Sequence, residues 1–205
     1  MGTQTATNIL EVARQVVKLE AEAVANVAAH LGPEFERAAE ILLKCEGRVA
    51  VTGIGKAGHI GRKLAATLAS TGTHALFVSA AEAAHGDLGM MKRGDVVIAL
   101  SHSGASDEVV HLLPIIRDMG ARLIAITSKP DSPLAQASEV VLLTGVTQEA
   151  DPRGLAPTSS AIAMLALGDA LAMAVSVARG FTRDDFLRFH PGGALGKLRP
   201  ESKTP

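Results

Sequence analysis

The sequence predicts an α/β domain with a doubly wound, five-stranded parallel sheet, flanking helices and a long N-terminal helix. Three observations lead to this prediction. Five short β-rich runs occur between residues 48 and 143, longer helical segments separate most of them, and no internal repeat or linker interrupts the chain. Strands that alternate with helices pair in parallel, and the helices then cover both faces of the sheet. A length of 205 residues suits one compact domain.

The individual elements follow from hydrophobic periodicity. Residues 4–31 are predicted to form one helix because apolar side chains recur every three or four positions, at Ile9, Val12, Val16, Leu19, Ala23, Val27 and Leu31. Gly32 ends this helix and Pro33 begins a second one. The predicted strands are 48–52, 75–78, 96–100, 123–126 and 140–143, and the predicted later helices are 58–71, 106–119, 132–137 and 157–179.

The apolar segment 155–178 is long enough to cross a membrane, but Asp169 lies in its middle. A carboxylate inside a bilayer is costly. The segment is therefore interpreted as a helix buried within the domain or at a subunit interface, with Asp169 buried and bonded by a neighbouring hydroxyl or a partner helix.

Composition excludes several classes of protein. The chain carries 20 Lys+Arg and 21 Asp+Glu, and it has no Trp, no Tyr and five Phe. A basic nucleic-acid surface with base-stacking aromatic residues is therefore not expected, nor is a polybasic membrane surface. Cys45 is the single cysteine and the N-terminus lacks the pattern of a signal peptide, so we expect a cytoplasmic protein.

A flavodoxin-like strand order, 2-1-3-4-5, places the ligand crevice beyond strands 1 and 3. The loop after strand 1 contains G-x-G-x-x-G at residues 53–58. A dinucleotide site is disfavoured because strand 2 does not end in an acidic residue, and a P-loop because Ala57 follows Lys56. The remaining interpretations are a plain tight turn or an anion site, in which Gly55 lets backbone N–H groups approach a ligand and Lys56 adds positive charge.

The loop after strand 3 carries three hydroxyls close together, Ser101, Ser103 and Ser106. They do not form a nucleophile elbow, which requires G-x-S-x-G. Capping of the next helix would account for Ser106 but not for Ser101 or Ser103. The three hydroxyls therefore favour a phosphate-binding loop.

The S-x-S-G run at 101–104 resembles the sugar isomerase (SIS) domain family. Five further segments make the chain similar to the arabinose-5-phosphate isomerases of that family, over residues 5 to 198: GIGKAGHIGRK (53–63), EAAHGDLG (82–89), GLAPTSS (154–160), GDALA (168–172) and HPGGALG (190–196). The resemblance implies N-terminal helices at 1–46 that pack on the core and an oligomer interface, an SIS domain at 47–198 and a polar tail at 199–205. Many relatives continue into two CBS domains, whereas this sequence stops at Pro205, so it is interpreted either as a naturally short form without them or as a cut piece of a longer chain.

The activity that this resemblance implies is the interconversion of D-ribulose 5-phosphate and D-arabinose 5-phosphate through an enediol, without a cofactor. The product would feed Kdo synthesis for lipopolysaccharide or capsule. The implied assembly is a homotetramer whose active sites are completed by neighbouring subunits. Two alternatives stay open: an SIS isomerase of a heptose or hexulose phosphate, and a non-catalytic sensor of a sugar phosphate or nucleotide sugar.

The resemblance also implies site residues. The catalytic positions are Lys56, Glu108, Glu149 and His190. The substrate-binding positions are Gly55, Gly72, Thr73, His85, Ser101, Ser103, Ser106, Thr158 and Ser159.

Each catalytic position has an expected role. Glu149 is the carbon base, with a pKa raised by burial, and His190 assists ring opening or proton transfer between oxygens. Lys56 binds an anionic oxygen, and Glu108 orients Lys56 or shares in proton transfer. The remaining histidines, including His102, are expected to be surface or structural residues.

No metal is predicted. The histidines and Cys45 lack metal-ligand spacing. In addition, Ser79 and Ala80 stand where many relatives have a His-Pro pair.

Overall fold

A computed structural model describes residues 8–192, and one five-stranded parallel sheet lies at its centre. The strands are β1 (Val49–Gly53), β2 (Ala75–Ser79), β3 (Val96–Leu100), β4 (Arg122–Thr127) and β5 (Val140–Leu143), in the order β2-β1-β3-β4-β5. The predicted fold class and strand order are confirmed, and every predicted strand end lies within one residue of the observed end. The predicted tail at 199–205 and the end of the HPGGALG segment lie outside the described residues.

Helices cover both faces of the sheet. They are α1 (Ile9–Ala29), α2 (Pro33–Leu43), α3 (Gly55–Ser70), α4 (Ala80–Ala83), α5 (Asp107–Val110), α6 (Leu113–Asp118), α7 (Pro133–Ala137), α8 (Ser159–Ala178) and α9 (Arg183–Phe189). The Asn8 side chain caps α1 by accepting the Glu11 N–H at 3.2 Å. The short helices α4 and α9, and a 3₁₀ turn at Asp87–Met90, were not predicted.

The predicted helix at 106–119 is two helices instead of one, α5 and α6. Pro114 falls where the helix would have to continue. Proline has no N–H to donate to the carbonyl four residues earlier, and its ring crowds that carbonyl. The helix therefore breaks at His111 and Leu112, and Pro114 lies in the first turn of α6.

The parallel register brings the carboxyl ends of all five strands to one edge of the sheet. Gly53 at the end of β1 pairs with Ser79 of β2 and with Leu100 of β3. On the other side of β3, Leu100 pairs with Ile126, and Thr127 pairs with Leu143. The loops after β1 and β3 therefore emerge side by side at this carboxyl edge.

The core has two layers because successive strand residues face opposite sides of the sheet. Val51, Ile98 and Ile126 pack against α1, α2, α3 and α8, whereas Ala50, Val97 and Ala125 pack against α4 to α7. Ala23 and Val27 of α1, with Ile41 and Leu42 of α2, belong to the first of these layers. The N-terminal helices thus pack on the sheet domain within the described residues.

Helix α8 is long and apolar enough to span a membrane by length and composition alone, and 39% of its most apolar window is buried. Its buried face, which includes Leu167, Leu171 and Val175, packs in the core. Asp169 is not buried as predicted, and its partner is a lysine on another helix and not a hydroxyl. Its carboxylate oxygens lie 2.5 and 2.6 Å from Lys63 Nζ on α3, and both side chains remain partly exposed.

The first half of α1 is apolar but exposed. Ile9, Leu10 and Val17 are 80%, 65% and 66% exposed, and only Ala23 and Val27 in the second half are buried. Only some of the apolar side chains that predicted this helix therefore pack against the rest of the chain.

Candidate active site

The loops after β1 and β3 enclose a cavity of about 260 Å³ at the carboxyl edge of the sheet. Lys56 lines it from the first loop, and Ser101, Ser103 and Ser106 line it from the second. Ser160, at the start of α8, lines the wall beside them. The structure thus brings together four of the residues that the sequence placed in one crevice.

The three serines are held by a compact turn. The Ser101 and Ser106 hydroxyls lie 3.0 Å apart, and the Gly104 N–H donates to Ser101 Oγ at 3.1 Å. The Ala105 N–H donates to Ser103 Oγ at 3.2 Å. Ser106 stands at the N-cap position of α5, yet its side chain makes no capping hydrogen bond. The Ser106 hydroxyl therefore bonds within the serine turn and does not cap α5.

Position 104 requires glycine because of its backbone conformation and because a side chain there would clash with a neighbour. Its φ of +64° is a left-handed conformation that favours glycine. A Cβ there would also collide with the side chain of Ser132, which precedes α7. The serine turn can therefore form only because residue 104 has no side chain.

Lys56 lies in the first turn of α3, which begins at Gly55 with φ +57°. The G-x-G-x-x-G pattern around it has a packing explanation. A Cβ on Gly53 would lie 3.0 Å from the Leu100 carbonyl oxygen, and one on Gly58 would lie 3.0 Å from the Gly53 carbonyl oxygen. These glycines allow α3 and β3 to approach β1 closely. Lys56 remains exposed at the cavity, beside the positive end of α3.

Glu149 lies next to this cavity and is bonded to the start of α8. Its Oε2 accepts the Thr158 N–H at 2.8 Å, the Thr158 hydroxyl at 3.1 Å and the Ser160 N–H at 3.1 Å. Glu149 lines a wider neighbouring opening of about 890 Å³ between α1 and the loop at 147–154. Ser160 lines the smaller cavity, so one hydrogen bond connects Glu149 with its wall.

The expectation of a raised pKa for Glu149 is wrong. Burial, the largest single influence, does raise the pKa of this carboxyl. Hydrogen bonds from Ser160 and Thr158 favour the carboxylate, and together they hold its pKa below the ordinary value of 4.5. The group is therefore ionised at neutral pH, which is the form that a base requires.

Thr158 and Ser159 do not themselves line the smaller cavity. The Thr158 hydroxyl accepts the N–H groups of Ala150 and Asp151 at 2.8 and 3.2 Å and donates to Glu149. Ser159 is buried. The neighbouring Ser160, which was not singled out in the sequence, lines the cavity instead. Its position in the run Thr-Ser-Ser was the available signal.

Glu108 and His85 lie at the carboxyl edge but do not line the cavity. Glu108 is exposed in the first turn of α5, and no ion pair joins it to Lys56 in the described part of the chain. His85 follows α4, after β2, and is also exposed. The expected orientation of Lys56 by Glu108 is thus not seen in this single chain.

Gly72, Thr73 and His190 lie at the opposite edge of the sheet. Gly72 and Thr73 follow the far end of α3, whose 16 residues span about 24 Å from Lys56 at the near end. A Cβ on Gly72 would lie 2.5 Å from the ring of Phe181, and that ring stacks on Phe189 beside His190. These residues therefore group with one another, away from Lys56 of the same chain.

His190 has a defined orientation at the end of α9. Its Nδ1–H donates to the Phe186 carbonyl oxygen at 2.8 Å, and its ring stacks on Phe186 at 4.0 Å between centroids. This arrangement leaves Nε2 as the nitrogen that can accept a proton. Within residues 8–192, no cluster of three His, Cys, Asp or Glu side chains could hold a metal ion.

Comparisons with known proteins give the relatives of the chain. The SIS domain family model matches residues 42–174. The chain is 55% identical over 185 residues to arabinose 5-phosphate isomerase KdsD of Pseudomonas aeruginosa, which covers 90% of this chain and 57% of the relative. It is 53% identical over 188 residues to arabinose 5-phosphate isomerase GutQ of Escherichia coli K12, covering 92% of this chain and 59% of the relative. The chain thus spans less than two thirds of the length of these relatives.

A solved structure extends the comparison to three dimensions. The structure of the E. coli CFT073 protein c3406 in complex with arabinose 5-phosphate superimposes with a TM-score of 0.87 at 41% identity. The match covers 92% of this chain and 100% of that one.

Proposed function

Because the chain belongs to the SIS domain family, we propose that it interconverts D-ribulose 5-phosphate and D-arabinose 5-phosphate. The observation that carries the proposal is the cavity that Lys56 shares with Ser101, Ser103 and Ser106, next to the Glu149 carboxylate. Relatives of more than half identity that bear the name arabinose 5-phosphate isomerase support the choice of sugar.

The cavity suits a phosphate monoester. One of the three serine hydroxyl protons is used in the hydrogen bond between Ser101 and Ser106, which leaves two to donate to phosphate oxygens. Among the described residues, Lys56 is the only Lys, Arg, Asp or Glu whose side chain lines the cavity, so no carboxylate there opposes a dianion. The amino end of α3 adds positive potential on the same side. We assign the phosphate to the serine turn and the carbonyl end of the sugar to the side of Glu149.

The proposed chemistry moves one proton between C1 and C2 through an enediol. The Glu149 carboxylate takes the proton from one carbon and returns it to the other. Lys56 stabilises the negative charge that develops on the oxygen. His190, acting through Nε2, transfers protons between O1 and O2 or opens the sugar ring. Glu108 assists by orienting Lys56 when the site is complete, and His85 contacts the substrate.

The position of His190 supports a site shared between subunits. Since α3 separates Gly72, Thr73 and His190 from Lys56 of the same chain, these residues would serve the cavity of a neighbouring subunit. The exposed apolar first half of α1 and the partly exposed outer face of α8, which includes Met173 and Val177, provide surfaces for assembly. We therefore propose that the protein assembles as a homotetramer.

We also propose that the enzyme is cytoplasmic. Its product, arabinose 5-phosphate, would supply the synthesis of Kdo for lipopolysaccharide or capsule.

A coupled assay tests this function. Ribulose 5-phosphate, a hexulose 6-phosphate and a heptose 7-phosphate are each offered to the protein, and the aldose or ketose product is identified. We expect turnover of ribulose 5-phosphate to arabinose 5-phosphate and no comparable turnover of the longer sugars. Preferred turnover of a hexulose or heptose phosphate would assign another SIS isomerase, and tight binding without turnover would assign a sensor.

A further inference from the structure

His102 is a side chain that the proposed mechanism does not use. It lies between Ser101 and Ser103 and was expected to be a surface or structural residue. In the described part of the chain, it is the one residue that lines both the 260 Å³ cavity of the serines and the 890 Å³ opening of Glu149. It therefore lies between the phosphate-binding turn and the opening that the proposed carbon base lines.

The backbone of His102 is held by the last residue of β4 and the residue that follows it. Its carbonyl oxygen accepts the Ser128 N–H at 3.2 Å, the Thr127 hydroxyl at 3.2 Å and the Ser128 hydroxyl at 2.9 Å. These hydrogen bonds fix the point from which the ring projects. The ring is therefore positioned by the fold, as a side chain that recognises a ligand must be.

The ring of His102 has unused hydrogen-bonding capacity. Its Nδ1 is buried and has no hydrogen-bond partner among residues 8–192. Buried polar atoms are normally paired, and an unpaired one is unfavourable. Because Nδ1 is buried, the ring nitrogen that a ligand in either cavity can reach is Nε2. A half-buried imidazole between the two cavities is therefore suited to pairing through Nε2 with a ligand hydroxyl, which can both donate and accept.

The charged groups that act on His102 are Glu149 and Lys129. Burial, the largest influence, lowers the pKa of the imidazole, Glu149 raises it and Lys129 lowers it, so the net shift is downward. The ring is consequently neutral at pH 7, with one nitrogen that donates and one that accepts. A neutral ring can hydrogen bond a sugar hydroxyl, but it carries no positive charge that would attract a second phosphate group.

We propose that the His102 imidazole hydrogen bonds a hydroxyl in the middle of the substrate's carbon chain and thereby helps to determine which sugar phosphate is accepted. This inference rests on the proposed function, which places the phosphate at the serines and C1 and C2 near Glu149. The carbon chain must then pass the side chain that lines both spaces. His102 would contact the sugar, whereas the neighbouring serines would bind the phosphate.

The test compares dissociation constants for two probes, inorganic phosphate and arabinose 5-phosphate, measured by calorimetry at pH 7. For His102→Ala we expect the dissociation constant of arabinose 5-phosphate to rise about tenfold, which corresponds to about 1.4 kcal/mol. The affinity for inorganic phosphate should change less than about twofold, because the serine turn is retained. His102→Gln, whose amide also donates and accepts, should recover part of the sugar affinity.

A matched control is His111→Ala. His111 is exposed after the same loop, and among residues 8–192 its Nδ1 bonds to the Asp107 carbonyl oxygen of its own helix turn and to no other group. Both affinities should be unchanged in this variant. Unchanged sugar affinity in His102→Ala, or an equal loss of both affinities in both His102 variants, would overturn the inference. Wild-type protein that binds arabinose 5-phosphate without isomerising it would reject only the proposed function, since the His102 comparison does not depend on turnover.

Discussion

The backbone N–H of Ser160 donates to Glu149 Oε2 at 3.1 Å, so the start of α8 holds the carboxylate next to the serine and lysine cavity. Two further donors from Thr158 converge on the same oxygen. The N–H groups at a helix start are not used by the helix itself and favour negative charge. Glu149 is therefore kept ionised by the same contacts that position it.

Replacement of Glu149 tests its proposed role as the carbon base. Glu149→Gln keeps the size of the side chain but removes the base, so kcat should fall by roughly 10²- to 10⁴-fold. Binding of inorganic phosphate, measured by calorimetry, should persist because the serines are unchanged. Glu40→Gln, on the exposed face of α2, is the matched control and should keep normal turnover. Near-normal kcat in Glu149→Gln would remove Glu149 from the chemistry.

Replacement of Ser103 tests the phosphate-binding turn. Ser103→Ala removes one hydroxyl that lines the cavity, so KM for ribulose 5-phosphate should rise by about 10- to 150-fold, in keeping with one hydrogen bond to a charged group. The change in kcat should be smaller. Ser138→Ala serves as the control, since the Ser138 hydroxyl bonds to the Leu134 carbonyl oxygen on α7, away from the cavity. If KM stayed the same in Ser103→Ala, Ser103 would not be a phosphate ligand.

The lowered pKa of Glu149 predicts a specific dependence of stability on pH. The unfolded carboxyl takes up a proton near 4.5, whereas the folded carboxyl does so only at lower pH. The stabilisation is thus complete above the unfolded pKa and is lost as pH falls from there through the folded pKa. We expect Tm of wild type to exceed that of Glu149→Gln by a constant amount near neutrality, and the difference to shrink below pH 4.5. A difference independent of pH would contradict the assignment.

The ion pair between Lys63 and Asp169 is expected to contribute little to stability. Its side chains are 47% and 38% exposed, which allows water to screen the charges. A double-mutant cycle with Lys63→Met and Asp169→Asn, followed by urea unfolding, should give a coupling of no more than about 1 kcal/mol. A coupling of several kcal/mol would show that an assembled interface shields this pair from water.

The proposed sharing of active sites can be tested by subunit complementation. Lys56→Ala and His190→Ala should each be nearly inactive alone. Co-expressed in one assembly, they should recover part of the wild-type rate, because some cavities then combine an intact Lys56 with an intact His190 from a neighbour. A mixture as inactive as its components, with mixed assembly verified by mass, would show that His190 does not complete the cavity of a neighbouring subunit.

Much of the fold follows from local sequence patterns, because strand and helix periods depend on neighbouring residues. The strand order then placed Lys56 and Ser103 in one crevice. The break at Pro114 could have been predicted by the same local reasoning. By contrast, Asp169 was expected to be buried, because an apolar segment does not reveal that Lys63 of another helix lies opposite.

The site properties that depend on distant contacts were not predictable. The pKa of Glu149 is lowered by donors from residues 158–160, whose approach depends on where α8 begins. His102 was dismissed because sequence alone does not show which loop histidine lines a cavity. The placement of Gly72 and His190 far from Lys56 required the lengths and directions of whole helices.

The central claim is that this cavity converts ribulose 5-phosphate to arabinose 5-phosphate by proton transfer. The most direct measurement incubates the protein with ribulose 5-phosphate in D₂O and examines the product by NMR. We predict that wild type forms arabinose 5-phosphate and Lys56→Ala does not, and that deuterium enters C2 in each turnover in which the proton on Glu149 exchanges with D₂O before it is returned. No arabinose 5-phosphate from wild type, or equal formation by Lys56→Ala, would contradict the account.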